Sequence, residues 1–509
     1  MSTDTPGGLT AGSGGSGGSV ADVADAADVA DAADVADAAD VADVAGVADA
    51  AGSNAVGSTT VASGSAADPV DGRGVEAALT RLLRPDLVGR TPYGAPQLDV
   101  PVALNTNENS YAPPQEVVDD IVAAIAAVAP GLNRYPDREF TALREDLAAY
   151  LTRVTGTALT PEQLWAANGS NEVLLHLLQA FGGPGRVALG FTPSYSMHPI
   201  ITRTTGTRWV DGERGSGRRP GADGRVPPVS YDLIAENVVR QVREHDPHVV
   251  FLCSPNNPTG TAVGLDVVEA TYDAAPNALV VVDEAYAEFA RPGTPSATTL
   301  LVGRPRLVVS RTMSKAFALA GGRVGYLAAD PALIDALRLV RMPYHLSSPT
   351  QAVARAALAH ADTLLGTVEA IKSQRDRIVA ETRALGLEPV DSDANFVLVG
   401  GFARPQRTWQ ALLDAGVLVR DVGITGHLRV TAGTPAETDA FLAALGAHLR
   451  EHPDALVGSA SDDTNGADNA NGADGAAGAG EPSAPSASGT TEVPDDPDDP
   501  DDPDDEERR

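Results

Sequence analysis

Between residues 75 and 450 the chain alternates two kinds of apolar pattern. Short Val-rich runs, "RVALG" (186–190), "HVVFLCS" (248–254), "ALVVVDE" (278–284) and "RLVVS" (306–310), are bounded by turn residues. An unbroken apolar run of this length suits a strand covered on both faces, so these segments predict buried strands of a mainly parallel sheet. Between them lie helical stretches such as "EVLLHLLQAF" (172–181) and "LDVVEATYDAA" (265–275). The alternation predicts an α/β fold whose ligands gather beyond the carboxyl ends of the strands. Residues 212–228, "GERGSGRRPGADGRVPP", carry neither pattern and read as a surface insertion.

The ends of the chain read differently. From Asp22 to Asp43 an Asp recurs at every third position among Ala and Val. A period of three drifts around a helix and leaves no fixed apolar face, so residues 1–74 are expected to be a disordered acidic tail. The closing run "DDPDDPDDPDDEE" combines like-charge repulsion with proline, and residues 452–509 are expected to be a second, solvating tail.

This division changes the meaning of the charge. The formal net charge is -32, but residues 1–74 account for -11 and residues 451–509 for -16. The remaining -5 is an ordinary balance, and neither part has the concentrated positive charge that a nucleic-acid partner requires. The single cysteine, Cys253, excludes an internal disulfide framework and fits a reducing compartment. With no basic-then-apolar leader pattern and no long uncharged apolar segment, a cytoplasmic protein without membrane contact is expected.

Four motifs fall at strand ends or helix starts. "NGSNEVLLHLL" (168–178) is a turn feeding a helix whose first N–H groups suit a phosphate, although alone it reads as an ordinary N-cap. "CSPNNPTG" (253–260) is a rigid turn holding two adjacent Asn amides that need partners. "VVVDEAYAEF" (280–289) puts Asp283 at the end of an apolar strand with Tyr286 after it. "SRTMSKAFALAGGRVGY" (310–326) sets Lys315 among small and apolar residues, with hydroxyls before it and Arg323 after it. Each motif is weak alone. Together they supply an amine, a carboxylate, a phenol, an amide turn and a phosphate cup, the set that pyridoxal phosphate calls for. Cys253 beside the turn reads as buried packing rather than a nucleophile.

"SPNNPTG", "VVDEAY" and "SKAFALAGGRVGY", in this order and spacing, resemble the fold-type I aminotransferases of class I/II. Further support comes from "TPYGAPQLDVPVALNTNENSY" (91–111), "NRYPD" (133–137), "TPSYSMH" (192–198), "MPYHLSSPTQ" (342–351), "DANFVLV" (393–399) and "GVLVRD…GHLRVTAGT" (416–434). The resemblance spans about residues 80–450 and is closest to the subgroup acting on histidinol phosphate, with glutamate or 2-oxoglutarate as the second partner. Ser110 stands where that family commonly has proline, and Gly322 where it commonly has leucine; neither removes a reactive group.

The resemblance implies a role for each matched residue. Lys315 would join the aldehyde of pyridoxal 5'-phosphate and later shuttle a proton, Asp283 would pair with the pyridine nitrogen, and Tyr286 and Asn257 would bond the 3′ oxygen. Ser170, Asn171, Thr312, Ser314 and Arg323 would hold the phosphate, and Tyr195 would stack on the ring. Tyr135 would reach the phosphate of a second subunit, implying a homodimer with shared active sites. On the substrate side Arg429 would grip the α-carboxylate, Arg420 and Tyr93 are candidate phosphate contacts, and Asn395 lines the pocket; surface pairing and plain packing remain open readings for Arg420 and Tyr93. No metal is implied. The implied architecture is a large domain, about 126–342, with its sheet between helices, and a smaller α/β domain from 75–125 and 343–451. Rival readings are an aromatic amino acid aminotransferase, a related phosphoamino-acid decarboxylase, and a non-catalytic cofactor-binding protein whose tails recruit a partner.

Overall fold

The computed structural model describes residues 79–90, 92–215 and 230–457. The Asp repeat, the acidic C-terminal run and most of the 212–228 insertion lie outside the described residues. Residues 79–90 form a short unit of their own, a helical turn followed by the 3-10 turn Pro85–Leu87.

In the main unit the strands run, in chain order, β1 (Val102–Ala103), β2 (Leu164–Ala167), β3 (Val187–Thr192), β4 (Arg208–Glu213), β5 (Val249–Cys253) and β6 (Leu279–Asp283). They continue with β7 (Leu307–Thr312), β8 (Gly325–Ala328), β9 (Glu388–Pro389), β10 (Phe396–Gly400), β11 (Val417–Leu418) and β12 (Leu428–Thr431). Seven of them form one sheet in the order β2-β8-β7-β6-β5-β3-β4. β4, β3, β5, β6 and β7 pair in parallel, and β8 runs antiparallel to both of its neighbours. This is the mainly parallel sheet that the Val-rich runs predict. Every residue of β5, β6 and β7 is buried, which is why their sequences show no polar alternation. The predicted helices are present at Ser170–Phe181 and Leu265–Ala274.

Two cores organise the packing. The larger encloses the seven-stranded sheet and buries Trp165, Phe251, Phe317 and Tyr326. Helices Gln115–Val128 and Ser348–Ala359 join it through Val117, Ala354 and Ala357. The smaller core centres on the antiparallel sheet β12-β10-β9 and buries Phe396, Val397, Ile371 and Leu445. A parallel pair, β1 with β11, leads the segment after Ala103 onto β12, where the Thr431 N–H donates to the Leu104 carbonyl at 3.0 Å. That crossing carries residues 104–109 to the carboxyl rim of the large sheet.

Folded structure continues past helix Pro435–Glu451, so part of the segment assigned to the acidic tail belongs to the body. The turn Pro453–Ala455 buries Ala455, Leu456 bridges Phe402, and the Val457 N–H donates to the Gly401 carbonyl at 2.9 Å. The physical reason is the apolar "ALV" at 455–457, a last patch able to cover the smaller core before the composition turns polar. Among the described residues no helix is long and apolar enough to cross a membrane.

Truncation after Val457 is expected to leave the melting temperature unchanged. Truncation after Glu451 removes the Ala455–Leu456 contacts and lowers it by about 2–5 °C, read by differential scanning calorimetry.

Candidate active site

The large sheet ends in a rim where strand register brings chemistry together. Cys253 of β5 aligns with Asp283 of β6, and Asp283 aligns with Ser310 of β7. The Asp283 carboxylate is almost fully buried, at 1% exposure. Burying it is costly unless its oxygens are satisfied. Oδ2 lies 3.0 Å from His198 Nε2, and Oδ1 accepts from the Ser310 hydroxyl at 3.1 Å. His198 stands on helix Met197–Thr204 and stacks on Phe251. The sequence groups Ser310 with the hydroxyls suited to the phosphate, but the fold turns it onto Asp283; His198 has no role legible there, because no spacing rule links a histidine to a carboxylate 85 residues later.

Above this rim lies a cavity of about 360 Å³. Asp283, Tyr286, Lys315, Tyr195, Asn257, Ser170, Asn171, Thr312, Ser314 and Arg323 all line it. A second cavity, about 440 Å³, is lined by Glu284, Glu288 and Arg311 and contains none of the predicted site residues.

One end of the first cavity is an anion cup. Helix Ser170–Phe181 begins there, so its first N–H groups have no intrahelical partner. Gly169 enters that helix at φ +87°, and a Cβ on it would collide with the Arg323 guanidinium. Gly325 sits so close beneath the turn that a Cβ would strike the Ser170 nitrogen. Arg323 donates to the Ala320 carbonyl at 3.1 Å, and Thr312 Oγ1 donates to Ser314 Oγ at 3.0 Å. Hydroxyls, guanidinium and helix start therefore converge as a phosphate requires.

Lys315 faces the same space. Its Nζ donates to the Thr106 carbonyl at 3.1 Å. Burial, reinforced by the positive charges of Arg429 and Arg323 and opposed by Glu108, pulls its pKa down to about 8. Burial pushes the Tyr286 phenol up to about 12, against the pull of Arg429 and of the amide of Asn107. Tyr195 donates to Asn171 Oδ1 at 3.1 Å and meets His198 edge-on. Burial also pushes the Cys253 thiol up to about 12, so it stays protonated and packs in the wall as expected.

The substrate candidates lie outside the lining of this cavity. Arg429 is buried, with Nη1 donating to Asn257 Oδ1 at 2.6 Å and Nη2 to the Asn105 carbonyl at 2.7 Å. Asn395 is fully buried and donates to the Asn107 carbonyl at 3.1 Å. Arg420 forms a β-bridge with Arg429 and donates to the Gly94 carbonyl at 3.3 Å, while Tyr93 is 53% exposed. Tyr135, 79% exposed, stacks on Tyr344 with ring centroids 4.3 Å apart. Sequence reasoning also passed over Thr106, Asn107 and Glu108. "NTNENSY" is dense in hydrogen-bonding side chains, but only the fold shows that this segment crosses the cavity. Among the described residues no group of three or more His, Cys, Asp or Glu side chains is placed to hold a metal.

Comparison with known proteins agrees with this geometry. Residues 100–445 match the family model for aminotransferase class I and II. The chain is 60% identical over 369 residues to the histidinol-phosphate aminotransferase of Paenarthrobacter aurescens, covering 72% of this chain and 95% of that protein. It is 62% identical over 370 residues to the histidinol-phosphate aminotransferase of Frankia casuarinae, covering 72% of this chain and 90% of that one. Among solved structures it resembles the Sinorhizobium meliloti histidinol-phosphate aminotransferase in complex with pyridoxal-5'-phosphate, with TM-score 0.59 and 25% identity over 69% of this chain and 92% of that chain. A Thermus thermophilus aspartate aminotransferase mutant aligns with TM-score 0.59 and 26% identity over 72% of this chain and 99% of that chain. With the parallel sheet, the rim carboxylate and the lysine cavity all in register with a match across two thirds of its length, the chain belongs to the class I and II aminotransferases.

Proposed function

We propose that the chain binds pyridoxal 5'-phosphate and transfers an amino group between L-histidinol phosphate and 2-oxoglutarate, giving imidazole acetol phosphate and glutamate, in histidine biosynthesis. The observation that carries this reading is the convergence of Lys315, Asp283 and the anion cup in one cavity. The relatives named above support the choice of substrate.

The bound cofactor would supply an electron-withdrawing ring that acidifies the substrate's Cα–H. Lys315 Nζ would hold the cofactor through its aldehyde carbon until the substrate's amine displaces it, and the freed amine would move a proton between Cα and C4′, work that suits an amine with a depressed pKa. Asp283 would hold the proton on the pyridine nitrogen, with His198 and Ser310 keeping its carboxylate in place. Ser170, Asn171, Thr312, Ser314 and Arg323 would hold the phosphate, Tyr195 the ring face, and Tyr286 and Asn257 the 3′ oxygen. Arg429 would receive the α-carboxylate of glutamate and, in its turn, the phosphate of histidinol phosphate. Arg420 and Tyr93 are assigned to that second anion, and Asn395 supports the segment bearing Asn107.

The working unit is proposed to be a homodimer in the cytoplasm, with no nucleic-acid or membrane partner. Leu132, Tyr135, Leu339 and Met342 leave between 54% and 85% of their surface exposed, a patch that a second copy would cover while presenting Tyr135 to its partner's phosphate cup. The domain division is likewise proposed, with residues 126–342 carrying the cofactor and the C-terminal segment with the arm forming the smaller body.

Purified protein loaded with cofactor is expected to absorb in the visible, and Lys315→Ala to lose that band. Uptake of pyridoxal phosphate by the cofactor-free protein should accelerate with pH through a midpoint near 8, where an ordinary lysine would place it near 10.5, because only the neutral amine attacks. The deciding assay measures turnover of histidinol phosphate and phenylalanine side by side. Higher kcat/KM with phenylalanine would transfer the assignment to an aromatic amino acid aminotransferase. Arg429→Gln is expected to lower kcat/KM by about 10²-fold for both amino-group partners, since loss of one charge-assisted fork affects each anion. Arg420→Gln should affect histidinol phosphate alone.

A further inference from the structure

Within the segment between Leu104 and Asn109, which also brings Thr106 and Glu108 to the cavity, Asn107 has its backbone N–H, its carbonyl and both side-chain polar atoms in hydrogen bonds. Asn107 is buried and adopts φ +57°, a left-handed conformation that Asn tolerates better than most side chains. Its backbone N–H donates to Thr431 Oγ1 at 3.1 Å, and its carbonyl accepts from Asn395 Nδ2 at 3.1 Å. Its side-chain Oδ1 accepts from Thr431 Oγ1 at 3.1 Å, and its Nδ2 donates to the Tyr286 hydroxyl at 3.0 Å.

In this arrangement the amide oxygen faces Thr431 and the amide nitrogen faces Tyr286. The Thr431 oxygen already accepts the Asn107 backbone N–H, so its own hydrogen is free to point at Oδ1. With Oδ1 accepting from Thr431, the amide nitrogen faces Tyr286. Because an amide N–H only donates, the Tyr286 oxygen is an acceptor toward Asn107 and its single hydrogen is left for another partner. Among the described residues no acceptor takes that hydrogen, and Tyr286 lines the cavity.

We propose that Asn107 is a positioning residue that holds Tyr286 as a hydrogen-bond donor into the cavity, toward the cofactor's 3′ oxygen, and ties that donor to β12 through Thr431. The inference rests on the reading that the cavity holds pyridoxal phosphate. A donor at the 3′ oxygen stabilises negative charge there and so favours the deprotonated form of the bound chromophore. Thr431 lies two residues beyond Arg429 on β12, on the same face of the strand. Asn107 thus links the phenol to the strand that carries Arg429.

The test is a pH titration of the visible absorbance of the cofactor-loaded protein, with Asn107→Gly, Asn107→Asp and Tyr286→Phe. Glycine suits the positive φ, and aspartate keeps both the side-chain size and the backbone preference, so the fold is retained. An ionised aspartate only accepts, and it draws the Tyr286 hydrogen away from the cavity. The midpoint is expected to rise by about one pH unit in Asn107→Asp and by less in Asn107→Gly. In the Tyr286→Phe background Asn107→Gly should add no further shift, the mark of a residue acting through another. Unshifted midpoints in both Asn107 variants, or an equal shift from Asn107→Gly with and without Tyr286, would overturn the inference alone. Failure of the wild-type chain to take up pyridoxal phosphate would overturn both the inference and the reading beneath it.

Discussion

The site depends on positive charge left without a counterion. Lys315 shares its surroundings with Arg429 and Arg323, and this crowding, added to burial, makes its amine easier to deprotonate. Glu108 lines the same cavity and opposes this shift, and "DEAYAE" supplies three further acids that the fold has to engage with other partners. Asp283 is occupied by His198 and Ser310. Glu284 and Glu288 are drawn to Arg311, which pairs with them at 2.7 Å and 3.2 Å beside the other cavity. Alternation of side chains along an extended backbone sends Asp283 and Glu284 to opposite sides. Arg311 thus serves the lysine indirectly by holding two carboxylates elsewhere.

The parallel sheet and the cofactor cavity were legible in the sequence because both follow from local pattern. β5, β6 and β7 are buried on both faces and carry unbroken apolar runs, and their ends deliver Asp283 and Thr312 to a common rim. β2 and β8 escaped notice. "LWAA" and "GYLA" are too short and alanine-rich to announce a strand, and they are strands because they pair with each other and β8 pairs with β7. The partners of the reactive groups were illegible for a related reason. His198, Ser310, Thr106 and Asn107 reach the site only through long-range contacts, and polar residues in a loop-like stretch read the same whether they cross a cavity or face water. Asn395 shows the converse: a residue expected to line the pocket sits behind it, supporting the backbone of Asn107.

The two adjacent amides of "SPNNPTG" illustrate how one turn serves two bodies. Asn256 is fully buried, and its Nδ2 donates to the Pro193 carbonyl at 3.0 Å and to Thr259 Oγ1 at 2.8 Å, which pins the turn to the segment leading into His198. Asn257 turns the other way, lining the cavity while its Oδ1 accepts from Arg429 on β12. Rigidity of the rim and its attachment to the smaller sheet thus come from neighbouring residues with opposite orientations.

That last contact bears on how Arg429 would receive the two differently shaped anions proposed for it. Arg429 already donates to the Asn257 side chain and the Asn105 carbonyl, while its Nε has no partner among the described residues. An anion arriving there enters by exchange of acceptors, and the hydrogen bonds it gains are offset by those the protein gives up. Such a guanidinium grips less tightly than an empty fork would, and it fits neither a planar carboxylate nor a tetrahedral phosphate to the exclusion of the other. For the proposed reaction, whose two substrates must leave and enter in alternation, a resident competitor would keep each visit short.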